Sequence, residues 1–264
     1  MINKPMLFVL FSLLLAWSAV SPAVAAEKPD VVFIIVDDLN DWLGCLDGHP
    51  DAQSPNIDTL AASGMLFPQA YCNSPQCRPS RTSLNYGVYP FKTGTYFNMR
   101  GPNEARLETP TMQQVFMDHD YRVASGGKVF HGGPGSVGGA LLKRPRDPRP
   151  PKGKDAFGAL NPPNDGYALD VADDQMGDYK VAEWAIKEWQ RVTDKPIFMS
   201  VGFYRPHRPL QVPKAYFERF PLASIKRPAE PEGDDWEDLP AFARKLARTH
   251  AHKALHKGFS DHEY

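Results

Sequence analysis

The stretch V-V-F-I-I-V-D-D at residues 31–38 decides the fold class of this chain. Val31 to Val36 is an unbroken run of β-branched and aromatic residues, which is the composition of a strand buried on both faces. Strands of this kind belong to parallel sheets, and we expect this one to be the central strand of an α/β sheet. Asp37 and Asp38 then stand at the carboxyl end of the strand, where ligands gather in such folds.

Further strands and helices alternate along the chain. The first predicted helix begins at Pro55 and ends at Gly64, a second begins near Pro79, and a third begins at Pro110. The elements predicted after them are a strand over Tyr121–Ala124, a helix over Asp173–Val192 and a strand over Ile197–Phe203. Proline in the first turn and apolar residues every three or four positions indicate the helices. Parallel neighbouring strands need crossover helices, so this order predicts an α/β fold: a mainly parallel sheet with helices on both faces. The last helix carries an apolar stripe that we expect to include Trp189 and Val192.

The composition is that of a globular protein with a sizeable core, because 42% of the 264 residues are hydrophobic and 23% are charged. Lys and Arg number 30 against 31 Asp and Glu, and a formal net charge of −1 argues against nucleic-acid binding. Proline accounts for 26 residues, which predicts long ordered connections. We interpret His131–Asp170 as a long surface loop that contains the basic run Lys143–Lys154.

The first 25 residues have the pattern of an export signal peptide. Lys4 supplies a positive charge, Met6–Trp17 supplies an apolar stretch, and Ala23 and Ala25 occupy the positions that a signal peptidase reads. The apolar stretch is shorter than the ~20 residues that span a bilayer. We therefore expect cleavage after Ala25, no stable membrane anchor, and a protein that is periplasmic or secreted, or lysosomal in a eukaryote.

Export permits disulfides, and the chain has three cysteines, Cys45, Cys72 and Cys77. An odd number leaves one unpaired, and a bond between Cys45 and Cys72 is the only pairing that leaves Cys77 free. Cys77 stands just ahead of Pro79, where free backbone N–H groups and the dipole of the predicted helix attract anions and lower the pKa of a thiol. These residues alone leave two interpretations open: a buried thiol at a helix end, or a reactive or anion-binding cysteine.

The segment C-R-P-S-R at residues 77–81 resembles the sequence that formylglycine-generating enzymes recognise in type I sulfatases. In those enzymes the cysteine is oxidised to an aldehyde, whose hydrate offers one hydroxyl to attack sulfur and a second whose deprotonation expels the sulfate. Three other segments resemble sulfatases, notably iduronate 2-sulfatase and its bacterial relatives: V-V-F-I-I-V-D-D-L-N at 31–40, G-K-V-F-H at 127–131 and G-F-Y-R-P-H-R-P at 202–209. The resemblance covers most of the chain from Asp30 to about Pro240.

The resemblance implies an alkaline-phosphatase-like α/β fold and hydrolysis of a sulfate ester on a sulfated saccharide, with a uronate 2-sulfate as a candidate substrate. It implies a divalent metal, Ca²⁺ or Mg²⁺, held by Asp37, Asp38 and the formylglycine made from Cys77. It also implies a formylglycine-generating enzyme as a partner. It further implies that Arg81 is a permanent cation beside the hydrate or the metal ligands, and that Lys128 contacts the sulfate. His131 would contact the diol, and His207 would protonate the leaving group or bind the sulfate.

Each part has an ordinary interpretation when it is taken alone. Asp37-Asp38 suits a solvated turn, G-K-x-x-H suits an exposed loop, and His207 suits a turn in which its hydrogen bonds are satisfied. The basic run Lys143–Lys154 suits a solvated loop, or else contact with a polyanionic sulfated glycan. Three other functions stay open: a non-catalytic anion-binding remnant, a phosphatase or phosphodiesterase on the same fold, and a cysteine hydrolase.

Sulfatases complete the metal site with a later Asp-His or Asp-Asn pair and a further lysine. Ser260-Asp261-His262 resembles part of that motif, but Glu263 replaces its glycine and no β-branched strand precedes it, so we interpret the match as coincidence. We therefore expect residues 26–264 to be the N-terminal part of a catalytic domain. Two aspartates and one modified cysteine are fewer ligands than the ~6–8 that Ca²⁺ prefers. We expect this stretch alone to bind metal weakly and to be nearly inactive.

Overall fold

The computed structural model describes residues 28–98, 107–135, 138–149, 166–225 and 239–247. The fold lies within the compact unit that starts at Val31. The predicted signal peptide and the tail motif Ser260-Asp261-His262 lie outside the described residues, as do Lys152 and Lys154 of the basic run.

The elements follow one another in the alternating order expected of an α/β fold. In chain order they are β1 (Val31–Val36), α1 (Pro55–Ser63), α2 (Cys77–Tyr86), α3 (Pro90–Thr93), α4 (Met112–Asp118), β2 (Arg122–Gly127), β3 (Ala140–Leu142), β4 (Gly166–Leu169), α5 (Gly177–Trp189), β5 (Ile197–Phe203), β6 (Leu210–Pro213), α6 (Lys214–Glu218) and α7 (Ala241–Ala247).

The main sheet has four parallel strands in the order β1-β5-β2-β3. Val36 at the end of β1 pairs with Phe203 of β5, and Gly127 at the end of β2 pairs with Gly202 of β5. Three carboxyl ends therefore meet at one edge of the sheet. A second, two-stranded parallel sheet joins β4 to β6.

The expectation that β1 is a central strand buried on both faces is wrong within the described residues. β5 and β2 hold the inner positions, whereas β1 pairs along one side only, and Val32 and Ile34 are 42% and 51% exposed. A run of β-branched residues indicates a strand, but the number of its neighbours depends on pairing partners that are distant in sequence.

Helices cover both faces of the β2–β5 region, as predicted. On one face α5 packs Val181 and Ala185 against Met199 and Val201 of β5. On the opposite face the ring of Phe116 in α4 stacks on Phe198 of β5, with ring centroids 4.0 Å apart.

The predicted helix over Asp173–Val192 is shorter in the structure. Asp173–Gln175 forms a separate 3-10 turn, and α5 ends at Trp189. The apolar stripe also stops early, because Trp189 is about half exposed and Val192 is fully exposed. Helical spacing predicts which face is apolar, but not how far the sheet beneath it extends.

One strand is longer than expected, and one segment interpreted as a loop contains two strands. β2 continues past Ala124 through Ser125 and two glycines, and the predicted His131–Asp170 loop contains β3 and β4. Glycine has low strand propensity, yet close packing requires it here. A Cβ atom on Gly126 would lie 2.2 Å from the ring of Trp184.

Candidate active site

The candidate active site lies at the carboxyl edge of the main sheet. Asp37 and Asp38 follow β1, Lys128 follows β2, and His207 lies in the segment after β5. Helix α2 brings its first residue, Cys77, to the same place. The helix begins at Cys77 itself, with Gln76 as its N-cap, rather than two residues later at Pro79.

Four potential metal ligands come together there, namely Asp37, Asp38, Cys77 and His207. One ligand atom from each residue lies within 4.8 Å of the others. The Nε2 atom of His207 is 3.9 Å from Oδ2 of Asp37 and 3.8 Å from Oδ2 of Asp38. The structure therefore groups the three metal ligands implied by the resemblance and adds His207, which the sequence had suggested for other roles.

Asp37 is the most buried member of this group, at 3% exposure. Its Oδ1 accepts a hydrogen bond of 2.7 Å from the guanidinium of Arg81, and its Oδ2 contacts the ammonium of Lys128. Burial alone would raise the pKa of Asp37, but the hydrogen bonds and charges of Lys128 and Arg81 outweigh it and lower the pKa. Asp37 is therefore a fixed, ionised carboxylate.

Arg81 is held from several sides. Its guanidinium donates to the backbone carbonyls of Lys128 and Val129, at 3.2 Å in the second case, as well as to Asp37. Its own carbonyl accepts from the side-chain amide of Asn85 at 2.8 Å. The side chain is 5% exposed, so Arg81 joins the end of β1 to the segment after β2 inside the protein.

A buried polar network that sequence reasoning missed supports Arg81. The Nδ2 atom of Asn85 also donates to the carbonyl of Val129 at 3.3 Å, and its Oδ1 accepts from Gln113 at 2.7 Å. Gln113 donates in turn to the hydroxyl of Ser200 on β5 at 3.4 Å. Asn85 and Gln113 occur in helical segments, and only burial distinguishes them from exposed polar residues.

The thiol of Cys77 differs from its sequence-based expectation. Its Sγ lies 3.8 Å from Oδ1 of Asp38. Burial, and then the negative charge of Asp37, raise the pKa of Cys77, and Asp38 adds to the effect. The expectation of a lowered thiol pKa is therefore wrong, because carboxylates near Sγ and burial oppose the effect of the helix N-terminus.

Lys128 and His131 flank the cluster without belonging to it. The ammonium of Lys128 contacts Asp37 and lies 4.9 Å from the ring centroid of Tyr204. Burial, followed by the positive charges of Lys128 and Arg78, lowers the pKa of His131. Its Nδ1 is buried and has no hydrogen-bond partner among the residues that the structure describes.

The segment after β5 is anchored so that His207 faces the carboxylates. Asp178, in the first turn of α5, accepts backbone hydrogen bonds from Tyr204 and Arg205, each of 2.8 Å. The guanidinium of Arg205 pairs with Asp147 and donates to the carbonyl of His207 at 3.0 Å. The ring of Tyr204 stacks on the imidazole of His207, with centroids 4.6 Å apart.

The other two cysteines, Cys45 and Cys72, are free thiols in the structure, as is Cys77. The pairing of Cys45 with Cys72 that the cysteine count allowed is therefore not formed here. Among the described residues, no helix has both the length and the apolar character needed to cross a bilayer.

A sequence model of the family described as Sulfatase matches residues 29–252. The chain belongs to the sulfatase family. It is 33% identical to a sulfatase of Formosa agariphila over 83% of this chain and 47% of that protein. It is also 33% identical to human iduronate 2-sulfatase over 81% of this chain and 41% of that protein. The chain thus spans about half the length of the curated relatives it matches.

Solved structures confirm the predicted fold class. A phosphonate monoester hydrolase of Agrobacterium radiobacter superposes with a TM-score of 0.59 at 19% identity, covering 76% of this chain and 45% of that one. A 2-O GAG sulfatase superposes with a TM-score of 0.57 at 21% identity, covering 90% of this chain and 49% of that one. The chain therefore has the mainly parallel α/β fold of these two structures.

Proposed function

We propose that this protein is a sulfuric ester hydrolase that uses a formylglycine made from Cys77 and a divalent cation held by Asp37, Asp38, residue 77 and His207. The grouping of these four side chains, with ligand atoms within 4.8 Å of one another, is the observation that carries the proposal. Family membership supports the reaction class, because relatives that match over four fifths of the chain are named as sulfatases.

The side chains at the site fit a hard cation. Asp37 and Asp38 offer carboxylate oxygens, which Ca²⁺ and Mg²⁺ prefer, and we propose Ca²⁺ as the native ion. When bound, the cation would neutralise sulfate charge and favour ionisation of a hydroxyl on residue 77. Arg81 holds Asp37 in one orientation, and the lowered pKa of Asp37 keeps this carboxylate charged at neutral pH.

The hydrogen bonding of His207 favours metal ligation. Its Nδ1 lies 2.5 Å from the carbonyl oxygen of Arg208, and a carbonyl can only accept, so we assign the proton to Nδ1. Nε2 then keeps a lone pair, and this atom lies 3.9 Å from Oδ2 of Asp37 and 3.8 Å from Oδ2 of Asp38. We therefore replace the roles first implied for His207, leaving-group protonation or sulfate binding, with that of a metal ligand.

The state of Cys77 argues for its modification. An unmodified thiol with a raised pKa is protonated at neutral pH and is a weak nucleophile, which speaks against a cysteine hydrolase. A formylglycine at this position would supply hydroxyls for attack on sulfur and for release of sulfate. Phosphatases on this fold typically place Ser or Thr at the position of Cys77, so phosphoester hydrolysis is the weaker alternative.

Three further side chains would act around the sulfate, the metal and residue 77. Lys128, whose ammonium reaches the site, would contact sulfate oxygens, and Arg81 would keep the carboxylate of Asp37 in place. His131 is held neutral by burial and nearby cations, and we propose that it contacts the diol of residue 77.

The finer parts of the proposal follow the sequence resemblance. We propose a sulfated saccharide as substrate, with a uronate 2-sulfate first among the candidates, because human iduronate 2-sulfatase is among the relatives. A formylglycine-generating enzyme would be the required partner, and the predicted signal peptide would direct export. Residues 26–264 would form the N-terminal part of the catalytic domain.

Mass spectrometry of the Cys77 peptide tests the proposal. The full-length protein is produced with a formylglycine-generating enzyme, and sulfate release from 4-nitrophenyl sulfate is measured. We expect an aldehyde at residue 77 and a loss of activity on the order of 10⁴-fold or more in Cys77→Ala. Cys72→Ala, which removes an exposed free thiol, serves as the matched control.

An unmodified thiol together with no release of sulfate would contradict the proposal and favour an anion-binding remnant. Faster hydrolysis of 4-nitrophenyl phosphate than of the sulfate would favour a phosphatase instead.

A further inference from the structure

Arg144 lies at the same edge of the sheet as the candidate active site. It follows β3 by two residues, and β3 is parallel to β1, β2 and β5, whose carboxyl ends carry the cluster. The sequence grouped Arg144 with the rest of the basic run, and nothing in the residue pattern distinguishes it there. Its neighbours Lys143, Arg146 and Arg149 are exposed, whereas Arg144 is half-buried.

The guanidinium of Arg144 stacks on Tyr204. Its central carbon is 3.9 Å from the centroid of the ring. The same ring stacks on His207 and lies 4.9 Å from the ammonium of Lys128. The ring of Tyr204 therefore contacts Arg144 as well as the two groups, His207 and Lys128, that we assign to the metal and the sulfate.

Stacking leaves the donors of Arg144 available. A guanidinium that lies on an aromatic face keeps its N–H groups at its rim, where they can bind an oxyanion with two hydrogen bonds. No residue in the described parts of the chain forms an ion pair or a hydrogen bond with Arg144. Arg205 shows the opposite arrangement near the same ring, because Asp147 and backbone carbonyls accept hydrogen bonds from both of its terminal nitrogens.

We propose that Arg144 binds a second oxyanion of the saccharide, a carboxylate or a further sulfate ester, beside the sulfate that is removed. Arg144 is then a specificity residue that selects saccharides with two anionic groups over those with one. The proposal rests on the proposed function for the identity of the first anion. Its own basis is the placement, at the rim of the site, of a stacked guanidinium that is unpaired within the described part of the chain.

Matched substrates test this role in the full-length protein produced with a formylglycine-generating enzyme. Glucuronate 2-sulfate carries a second anion, whereas glucose 2-sulfate has a hydroxymethyl group in place of the carboxylate. Arg144→Met keeps a long side chain over Tyr204 and removes the charge. We expect kcat/KM for glucuronate 2-sulfate to fall about 10- to 100-fold, mainly through KM, with little change for glucose 2-sulfate. Arg149→Ala, in the same loop, should change neither value.

A third substrate, glucose 2,6-disulfate, identifies the oxyanion. If its hydrolysis depends on Arg144 more strongly than that of glucuronate 2-sulfate, the site is built for a second sulfate. The reverse order indicates a carboxylate. An equal loss on all three substrates would overturn the proposal, because it would mean that Arg144 only positions Tyr204 and His207. No loss on any of them would overturn it as well.

Binding separates this proposal from the proposed function. Calorimetric titration of glucuronate 2-sulfate, glucose 2,6-disulfate and glucose 2-sulfate into Cys77→Ala, with and without Arg144→Met, requires no turnover. A preference for the uronate or the disulfate that disappears in the double variant supports the role of Arg144 even if the parent protein hydrolyses no sulfate ester. Equal affinity of Cys77→Ala for glucose 2-sulfate, glucuronate 2-sulfate and glucose 2,6-disulfate contradicts it even if the parent protein is an active sulfatase.

Discussion

The Sγ atom of Cys77 lies 3.8 Å from Oδ1 of Asp38, although 39 positions separate the two residues in the sequence. Asp38 reaches this position through a left-handed backbone conformation, with φ of 56°, directly after β1. Aspartate and asparagine tolerate that conformation better than other residues with side chains. The turn directs the carboxylate toward the first residue of α2, so that two distant segments share one candidate metal site.

We expect Asp38→Asn to weaken calcium binding by about 10-fold or more, because it removes one of the negative charges that attract the ion. Asparagine suits the same left-handed conformation, so the backbone should be preserved. The measurement is the calcium concentration that gives half-maximal activity after treatment with a chelator. Asp41→Asn, an exposed acidic residue outside the cluster, is the control. Equal calcium dependence in both variants would remove Asp38 from the metal site.

Asn85→Ala should lower the free energy of unfolding by about 1–3 kcal/mol. The side chain is fully buried, and its loss removes the hydrogen bonds that it donates to the carbonyl of Arg81 and accepts from the amide of Gln113. Urea denaturation measures the change. Asn40→Ala, which removes an exposed hydrogen bond to the backbone N–H of Trp42, should cost much less. If the two variants lost similar amounts of unfolding free energy, the buried network would stabilise the protein no more than an exposed hydrogen bond does.

Gly126→Ala should also destabilise the protein, by about 1–3 kcal/mol, because an added methyl group would overlap the ring of Trp184. Gly132→Ala is the matched control, since a Cβ atom there meets nothing within 4 Å. Thermal or urea denaturation gives the values. Trp184→Leu combined with Gly126→Ala should recover part of the lost stability. A double variant whose losses simply add would contradict a clash between these two residues.

The stability of the protein should fall in mildly acidic solution because of His131. Burial, with the positive charges of Lys128 and Arg78, lowers the pKa of this imidazole below its usual 6.5. The unfolded chain then binds a proton at a higher pH than the folded chain, so the free energy of unfolding decreases as pH falls below 6.5.

Urea denaturation of the wild type and of His131→Gln, with a chelator present, tests this pH dependence. The stability of the wild type relative to the variant should decrease between about pH 7.5 and about pH 5.5. His119→Gln, which changes an exposed histidine after α4, is the control. A constant difference across this range would show that the folded and unfolded chains protonate His131 alike.

Continuous apolar runs allowed parts of the fold to be predicted residue by residue. The bounds of β1 and β5 agree with the expected Val31–Val36 and Ile197–Phe203, because short runs rich in apolar, β-branched and aromatic residues indicate buried strands. Helix α1 begins at Pro55 and ends just before Gly64, as its proline and glycine indicated. The extension of β2 over Gly126 could not be predicted, because the glycine is required there by close packing against the ring of Trp184, which is distant in sequence.

Some residues of the candidate site could likewise be predicted from the sequence, and others could not. Motifs of a few neighbouring residues indicated Asp37, Asp38, Cys77 and Lys128, and the parallel sheet then explained why the segments after β1 and β2 meet at its edge. The direction of the thiol pKa was wrong, since it was inferred from the helix start alone. Asn85 and Arg144 were not identified as site residues, because their importance lies in burial and stacking.

The amino-acid sequence by itself determined the local elements, the family resemblance and the chemical type of each candidate ligand. These properties depend on neighbouring residues, whose spacing, branching and charge are written in order along the chain. Only the tertiary structure decided that β5 rather than β1 is flanked by strands on both sides, that His207 joins the carboxylates, and that Arg144 lies on Tyr204. Such relationships depend on the pairing and packing of segments far apart in sequence, which local patterns do not encode.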